Sequence, residues 1–235
     1  MPGLADIAAL LRARRGSRAP FLVGVTGAVA AGKSTLAEQL RASLEAGGDR
    51  VEIVSTDGFL MPNATLEAKG LSMRKGFPES YDALAMRAAL AALRHGPAEV
   101  PGYSHVIYDI DPALARRIDP PDVLLVEGLG LQDGPAALGL DLLVYLDADE
   151  AHVEAWFTER LVGLWRAAER DPTSFYARFR HLDEAGARAF AAQVWRSINL
   201  PNLREHIIRA RDLADLVVTK GPTHEIVAVR ETSPA

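Results

Sequence analysis

Short apolar runs alternate with longer segments of helical periodicity along most of this chain. The runs predict strands, and segments such as 33–46, whose leucines recur every four residues, predict helices. Strands that are apolar throughout belong to sheets covered by helices on both faces. The pattern therefore predicts an α/β fold with a doubly wound, mostly parallel sheet. The predicted strands are residues 21–26, 51–55, 123–126, 142–146 and 216–219, with a further edge strand at 225–229.

Two long segments interrupt this alternation. Residues 58–121 separate the second and third predicted strands and contain loops rich in Gly and Pro, which in compact domains usually carry function. Residues 151–211 are mostly helical, and we expect them to form a lid or substrate region. Together with an N-terminal helix within residues 1–19, these segments are expected to form one domain over residues 1–235.

Composition excludes several functional classes. The chain has no Cys, which rules out disulfides, thiolate metal sites and a cysteine nucleophile. A formal net charge of −5 argues against a dedicated nucleic-acid binder. Apolar runs are too short for a membrane span, and the N-terminal apolar residues precede the basic ones, the reverse of a secretory signal. We therefore expect a cytoplasmic protein without a membrane or nucleic-acid partner.

The strongest chemical signal is a glycine-rich loop between the first strand and the first long helix. It fits G-x-x-x-x-G-K-[ST], in the structural context that this motif requires. Its backbone amides and the helix N-terminus bind phosphates, its Lys reaches the β- and γ-phosphates, and its Ser ligates Mg²⁺. The sequence thus predicts a nucleoside triphosphate and Mg²⁺ at this loop. The predicted nucleotide-binding residues are Gly27, Ala28, Val29, Ala30, Ala31, Gly32, Lys33, Ser34 and Thr35.

Carboxylates follow two other predicted strands. Asp57 comes directly after the second strand, where it is suited to deprotonate an acceptor hydroxyl, although Asp before Gly also forms ordinary turns. Glu127 ends the third strand and is suited to hold Mg²⁺, or alternatively to cap the next turn. The fourth strand lacks the Asn-Lys-x-Asp element of a GTPase. Small-molecule kinase chemistry is therefore favoured over GTP hydrolysis.

Further motifs make the chain similar to a known family. They are Thr56-Asp57-Gly58-Phe59-Leu60, Arg74-Lys75-Gly76-Phe77-Pro78-Glu79-Ser80-Tyr81-Asp82, Tyr103-Ser104-His105, Tyr108-Asp109-Ile110, Asp171-Pro172, Ile198-Asn199, Asn202-Leu203 and Thr219-Lys220 with His224. With the glycine-rich loop, they resemble the bacterial type I pantothenate kinases over nearly all of residues 20–230. The wider relatives are uridine kinase and phosphoribulokinase. The resemblance implies a homodimer that uses ATP and Mg²⁺ to phosphorylate the primary hydroxyl of pantothenate, the first step of coenzyme A biosynthesis.

The same resemblance implies roles for individual residues. Asp57, Lys33 and Arg160 would be catalytic, while Ser34 and Glu127 would hold the metal. Lys220 and His224 would line the adenine site. The residues expected near the acceptor, besides Asp57 and Arg160, are Tyr103, His105, Phe157, Tyr176, Phe179 and Asn199.

Three of these residues also have ordinary structural interpretations. His105 is compatible with a loop histidine bonded to a backbone carbonyl. Arg160 is compatible with a solvated helix residue paired with a carboxylate, which is the usual state of helical Arg. Asn199 precedes a Pro and is compatible with a residue that ends a helix.

Several positions depart from the family pattern and keep other functions open. Phe157 stands where the family has a Tyr that contacts pantothenate, and Leu161 and Leu164 replace aromatic residues. The family usually carries a longer N-terminal extension, and we expect any adenine or dimer contact made there to be missing or replaced. Glu38 replaces an Arg that supports feedback inhibition by coenzyme A, so we expect that inhibition to be weak.

The alternatives are a sibling kinase acting on a nucleoside or sugar hydroxyl, and a non-catalytic ATP-binding regulator. Retention of Asp57, Glu127 and Arg160 together argues against the regulator, because a nucleotide binder needs only the loop.

Overall fold

The central sheet is built from apolar strands buried along most of their length. A computed structural model describes residues 3–232; the first two and last three residues of the expected domain 1–235 lie outside the described residues. Within that range the strands are β1 (Phe21–Gly27), β2 (Val51–Ser55), β3 (Ala98–Val100), β4 (Tyr103–Ser104), β5 (Asp109–Ile110), β6 (Arg116–Ile118), β7 (Val123–Glu127), β8 (Leu142–Asp147), β9 (Leu216–Lys220) and β10 (Ile226–Glu231).

The strand order confirms the predicted fold class. The large sheet runs β2-β7-β1-β8-β9-β10, and all neighbouring strands are parallel except β9 and β10. The five parallel strands correspond to the five predicted from apolar runs, and the predicted edge strand is found as antiparallel β10. Two further pairs, β3 with β6 and β4 with β5, form small antiparallel sheets.

Helices cover both faces of the large sheet. In the described range 3–232 they are α1 (Leu4–Arg15), α2 (Lys33–Glu45), α3 (Asn63–Ala68), α4 (Ala83–Leu93), α5 (Gly134–Leu138), α6 (Glu150–Ala167), α7 (Glu184–Val194), α8 (Leu200–Asn202) and α9 (Arg209–Leu213). Helix α2 packs on β1, β2 and β7, whereas α9 packs on β1 and β8. No helix within residues 3–232 is both long and apolar enough to cross a bilayer.

The predicted lid region begins with α6 and continues through a short turn, Phe175–Phe179, into α7. Val162, Trp165 and Ala187 form a small apolar cluster there, separate from the main core. After α7 the chain stays helical through two π turns, Trp195–Asn199 and Leu203–Ile207, which flank α8. Pro201 in this segment lacks an amide and crowds the preceding turn, which favours the wider π geometry.

The register of the sheet brings the functional strand ends together. Glu127 pairs with Val25 of β1 on one side and with Ser55 of β2 on the other. Strand β7 therefore lies between the strand that leads into the glycine-rich loop and the strand that leads to Asp57. Because ligands of such sheets bind beyond the carboxyl ends of the strands, this edge is where a site is expected.

Gly128 makes this close approach of β7 and β2 sterically feasible. Its φ is +141°, and a Cβ at this position would lie 1.9 Å from Thr56 Oγ1. Its carbonyl also accepts a hydrogen bond of 2.9 Å from Thr26 Oγ1. A side chain here would push Thr56, and with it the neighbouring Asp57, away from the strand ends.

We therefore expect Gly128→Ala to destabilise the fold by about 3 kcal/mol, from overpacking together with backbone strain. Gly139→Ala is the matched control, because Gly139 has a φ of +66° and no atom within 4 Å of the new Cβ. Strain alone should cost the control about 1 kcal/mol. Urea unfolding of both variants measures the difference, and equal losses of stability would contradict the steric argument.

Candidate active site

The glycine-rich loop is closed by its own lysine. Lys33 Nζ donates to the carbonyl oxygens of Gly27 and Ala28, at 3.2 and 2.9 Å. Gly32 is the N-cap of α2, and the first turn of that helix contains no acidic residue. The helix therefore presents unpaired amides and positive partial charge toward the loop, as phosphate binding requires.

Burial lowers the pKa of Lys33 to about 8, although the carboxylates of Glu127 and Asp57 oppose this effect. The Arg160 guanidinium lowers the pKa of Lys33 further. Lys33 is thus close enough to all three side chains to feel their charge. The charges of two carboxylates and of a second cation therefore act on the Lys33 amine, which the motif predicts to contact the phosphates.

Ser34 and Glu127 form a hydroxyl–carboxylate pair. Ser34 Oγ donates to Glu127 Oε2 over 3.1 Å, and the Glu127 side chain is only 8% exposed. A hydroxyl and a buried carboxylate at the strand edge are the oxygen ligands that Mg²⁺ uses when phosphates complete its shell. The residues present therefore fit the implied metal.

Asp57 lies in a single 3-10 turn, Thr56–Phe59, directly after β2. The Ser55 hydroxyl accepts from the Asp57 amide and caps this turn. The carboxylate lines a cleft of about 560 Å³ together with Ser34, Glu127 and Tyr103. Asp57 is thus an accessible group at the strand edge, not part of the apolar core.

Aromatic side chains form the wall beyond Asp57. Tyr103 contacts the rings of His105 and Tyr108 at centroid distances of 5.2 and 6.1 Å. Tyr108 in turn meets Tyr176 of the lid at 6.5 Å. Burial raises the pKa of Tyr103, Tyr108 and Tyr176, so their hydroxyls stay protonated at neutral pH and can donate hydrogen bonds.

Arg160 of α6 acts electrostatically on several of these residues. Its charge acts on the pKa of Tyr108 and Tyr176 as well as on that of Lys33. Within residues 3–232 it forms no ion pair, whereas the preceding Glu159 pairs with Arg188. Among the described residues, Arg160 is therefore not neutralised by a nearby carboxylate, contrary to the ordinary structural interpretation.

Lys75 belongs to one of the family motifs, but no role was predicted for it from the sequence. Its Nζ donates to Asn63 Oδ1 and to the Tyr108 carbonyl, both at 2.6 Å, and lies 4.4 Å from the Tyr108 ring centroid. Burial lowers its pKa to about 8, against the charges of Asp109 and Asp57. The signal in the sequence that pointed to it is its place in the motif Arg74–Asp82.

Lys220 and His224 lie on the other side of the glycine-rich loop. Lys220 Nζ donates to the Ala31 carbonyl over 3.3 Å, and a Cβ on Gly32 would lie 2.9 Å from the same nitrogen. The His224 ring stacks on Trp156 with centroids 3.8 Å apart. This side of the loop thus offers a cation and a planar ring, which are suitable contacts for a nucleotide base.

Other expected acceptor residues lie in the lid and its helices. Phe157 packs at 6.1 Å from the Trp195 ring, and Leu161 is buried. Asn199 lies inside continuous helix and does not end one, and its buried Nδ2 has no hydrogen-bond partner in the described structure. Phe179 contacts the rings of Phe190 at 4.6 Å and of Phe175 at 6.0 Å, and the Phe175 ring lies 4.6 Å from that of Tyr108.

Comparisons with known proteins identify the family of the chain. The profile of the phosphoribulokinase/uridine kinase family matches residues 22–161. A pantothenate kinase of Sorangium cellulosum is 45% identical over 223 residues, which cover 90% of this chain and 72% of the relative. A pantothenate kinase of Streptomyces coelicolor is 43% identical and is covered over 68% of its length, with 89% of this chain aligned.

Solved structures share the fold. A protein from Silicibacter sp. TM1040, named as a kinase of a fructose transport system, superposes with a TM-score of 0.76 at 28% identity. The match covers 92% of this chain and 99% of that one. A D-glycerate 3-kinase from Cryptococcus neoformans, at 14% identity and a TM-score of 0.65 over 97% and 99% of the two chains, shares the fold alone.

These matches confirm the resemblance that the sequence motifs indicated. The family profile covers more than half of the chain, and the curated relatives exceed 40% identity over most of both lengths. The chain belongs to the phosphoribulokinase/uridine kinase family of P-loop kinases and, within it, to the pantothenate kinases.

Proposed function

We propose that this chain transfers the γ-phosphoryl group of ATP to the primary hydroxyl of pantothenate, the first step of coenzyme A biosynthesis. The observation that carries this proposal is that the Asp57 carboxylate lines a cleft of about 560 Å³ together with Ser34 and Glu127. The charges of Asp57 and of Arg160 also both act on Lys33 of the glycine-rich loop. Family membership and the names of the curated relatives support pantothenate as that acceptor.

Asp57 is the general base in this proposal. Its carboxylate takes the proton of the acceptor hydroxyl while that oxygen bonds to the γ-phosphorus and the bond to the bridging oxygen of ADP breaks. Lys33 and Arg160 offset the charge of the transferred group. The charges of Arg160 and Asp57 both act on Lys33, which supports this role.

Ser34 and Glu127 would hold the Mg²⁺. The metal, when bound, neutralises charge on the β- and γ-phosphate oxygens. Lys220 and His224, with Trp156 behind the His224 ring, would receive the adenine. The loop residues 27–35 would supply the remaining phosphate contacts through their amides.

Tyr103, His105, Tyr176 and Asn199 would bind the acceptor. The unpaired Nδ2 of Asn199 supports this role, because a buried amide without a partner is costly unless a ligand completes it. Phe157 and Phe179 would contribute apolar contact only. From the family relationship we also expect a cytoplasmic homodimer with no nucleic-acid or membrane partner, in which residues 151–211 serve as lid and 58–121 carry the acceptor loops.

A sugar or polyol hydroxyl is the second candidate acceptor. Two observations favour it: Phe157 lacks the hydroxyl that the family uses on pantothenate, and the Silicibacter kinase, named for fructose transport, matches this chain over nearly its whole length. A site that loses a hydrogen bond to its substrate discriminates less strongly for that substrate.

An ATP-consumption assay with a panel of acceptors separates these candidates. Purified protein would be tested with pantothenate, uridine, fructose and small polyols at equal concentration. We expect saturable ADP release with pantothenate and the highest kcat/KM for that acceptor. A higher kcat/KM with fructose or uridine, or ATP binding without transfer to any acceptor, would overturn the proposal.

Replacement of the base gives a sharper test. We expect Asp57→Asn to lower kcat by about 10²–10⁴-fold, because the amide cannot take the proton, while the KM for ATP changes little. Asp183→Asn is the control, since Asp183 caps α7, which contributes no residue to the lining of the cleft, and an amide oxygen caps as well as a carboxylate. Steady-state kinetics of both variants give the comparison; near wild-type turnover in Asp57→Asn would remove Asp57 from the base role.

The negative charge of Glu38 leads us to expect weak feedback inhibition by coenzyme A. It lines the same cleft as Ser34 and Asp57, and its carboxylate accepts from Arg41 Nε at 2.9 Å. A negative side chain in this place disfavours a polyanion. We expect Glu38→Arg to strengthen inhibition by coenzyme A about three- to tenfold, with Glu38→Gln between it and the wild type.

Competition of coenzyme A with ATP in the kinase assay measures this effect. The three proteins should rank in the order of the charge at position 38. Equal inhibition constants for all three would show that Glu38 does not govern the effect.

A further inference from the structure

The segment Arg74–Asp82 forms an ordered loop whose role the proposed chemistry does not explain. Gly76 has a φ of +90°, and its amide donates to Ser80 Oγ at 2.9 Å. Ser80 Oγ donates in turn to the Phe77 carbonyl at 2.7 Å, and the Phe77 ring is buried. The loop is therefore held in one shape, with Lys75 immediately before its left-handed glycine.

Lys75 extends from this loop toward the catalytic group. Its amine is bound by Asn63 and by the Tyr108 carbonyl, and it lies over the Tyr103 and Tyr108 rings. The charge of Asp57 reaches it. The position of the loop thus determines where a cation is placed relative to the proposed base.

One buried side chain joins this loop to the helix that follows the lid. Asn202 is 3% exposed, and its Nδ2 donates to the Gly76 carbonyl over 2.8 Å, across 126 positions of sequence. Its Oδ1 is buried without a hydrogen-bond partner in the described structure. The bond to Gly76 is thus the one contact found for the polar end of this amide among residues 3–232.

Asn202 is three residues after Asn199 on the same helical segment. Residues three apart lie on neighbouring positions of one helix face. The π turns Trp195–Asn199 and Leu203–Ile207 enclose the segment, and such turns often occur at functional sites. The helix that carries the proposed acceptor amide is therefore tied to the loop that carries Lys75.

We propose that Asn202 is a positioning residue for acceptor phosphorylation: its bond to Gly76 fixes the Lys75 loop against the Asn199 helix. The catalytic meaning of this tether rests on the proposed function, because it assumes that Asn199 meets the acceptor and Asp57 activates it. The tether itself is a feature of the protein without substrate. Loss of the donor leaves the Gly76 carbonyl unpaired and allows the loop to open to water.

The small number of lysines allows a test that does not depend on the acceptor. Lysine labelled with ¹³C at Cε gives four signals, from Lys33, Lys69, Lys75 and Lys220. Each signal is assigned by a Lys→Arg variant and followed by pH titration. The groups that face Lys75 are the carboxylates of Asp57 and Asp109 and the phenols of Tyr103 and Tyr108, none of which the Asn202 variants alter.

We expect the Lys75 midpoint to rise from about 8 toward 10.5 in Asn202→Ala, because a loosened loop hydrates the amine. Asn202→Leu, which removes the donor but keeps the volume filled, should give the same rise. The Lys69 and Lys220 midpoints should not move. The control Ser197→Ala removes an exposed hydroxyl from the same helical segment and should leave all four midpoints unchanged.

Kinetics then connect the tether to turnover. In the pantothenate assay, Asn202→Ala should lower kcat about tenfold with the KM for ATP within about twofold. In a Lys75→Met background the same substitution should lower kcat by less than about twofold, because the effect passes through Lys75. A general loss of stability would instead lower kcat by the same factor in both backgrounds.

The outcomes separate the two proposals. An unchanged Lys75 midpoint in both Asn202 variants would overturn the tether, whatever the acceptor. Equal loss of kcat in both backgrounds would also overturn its positioning role. A wild-type enzyme inactive on pantothenate would overturn the proposed function, and the lysine titration would still decide for or against the tether.

Discussion

The site depends on one electrostatic arrangement, a half-buried lysine whose pKa responds to two carboxylates at the ends of neighbouring strands. Burial alone would favour the neutral amine of Lys33, while Glu127 and Asp57 favour its charged form. Each carboxylate has a second task in the proposed chemistry, one at the metal and one at the acceptor. The parallel register that aligns Val25, Glu127 and Ser55 produces this arrangement. The same strand pairing therefore forms the sheet and places the proposed catalytic residues.

Much of the fold was predictable because its cause is local. Apolar runs specified the five parallel strands, and the glycine-rich loop was recognisable from eight consecutive residues. The order of the strands was not predictable in this way, because the apolar pattern of β7 does not specify which strands it pairs with. In the structure it lies between β1 and β2. The contribution of Lys75 was missed for the same reason: its partners, Asn63 and the Tyr108 carbonyl, lie 12 and 33 positions away.

In the predicted lid region, residues 151–211, the hydrophobic pattern of the sequence was not sufficient to predict the structure. Helical spacing in α6 could not separate core positions from site positions. The structure buries Leu161 and Trp165 and stacks Trp156 on His224, and it places the charge of Arg160 where it acts on the pKa of Lys33 and Tyr108. Asn199 was open to interpretation as a helix end because Pro201 follows it. The π turns accommodate that proline and the helix continues, and the roles proposed for Asn199 and Asn202 depend on this continuation.

The most direct test of the central claim is to identify the bond that the enzyme makes. A ³¹P–¹H correlation spectrum of the product formed from ATP and pantothenate shows which protons couple to the transferred phosphorus. A base at Asp57 that activates a primary alcohol predicts coupling to the CH₂ protons beside that hydroxyl. Coupling to the CH of the secondary alcohol, or a spectrum containing only ADP and inorganic phosphate, would contradict the account.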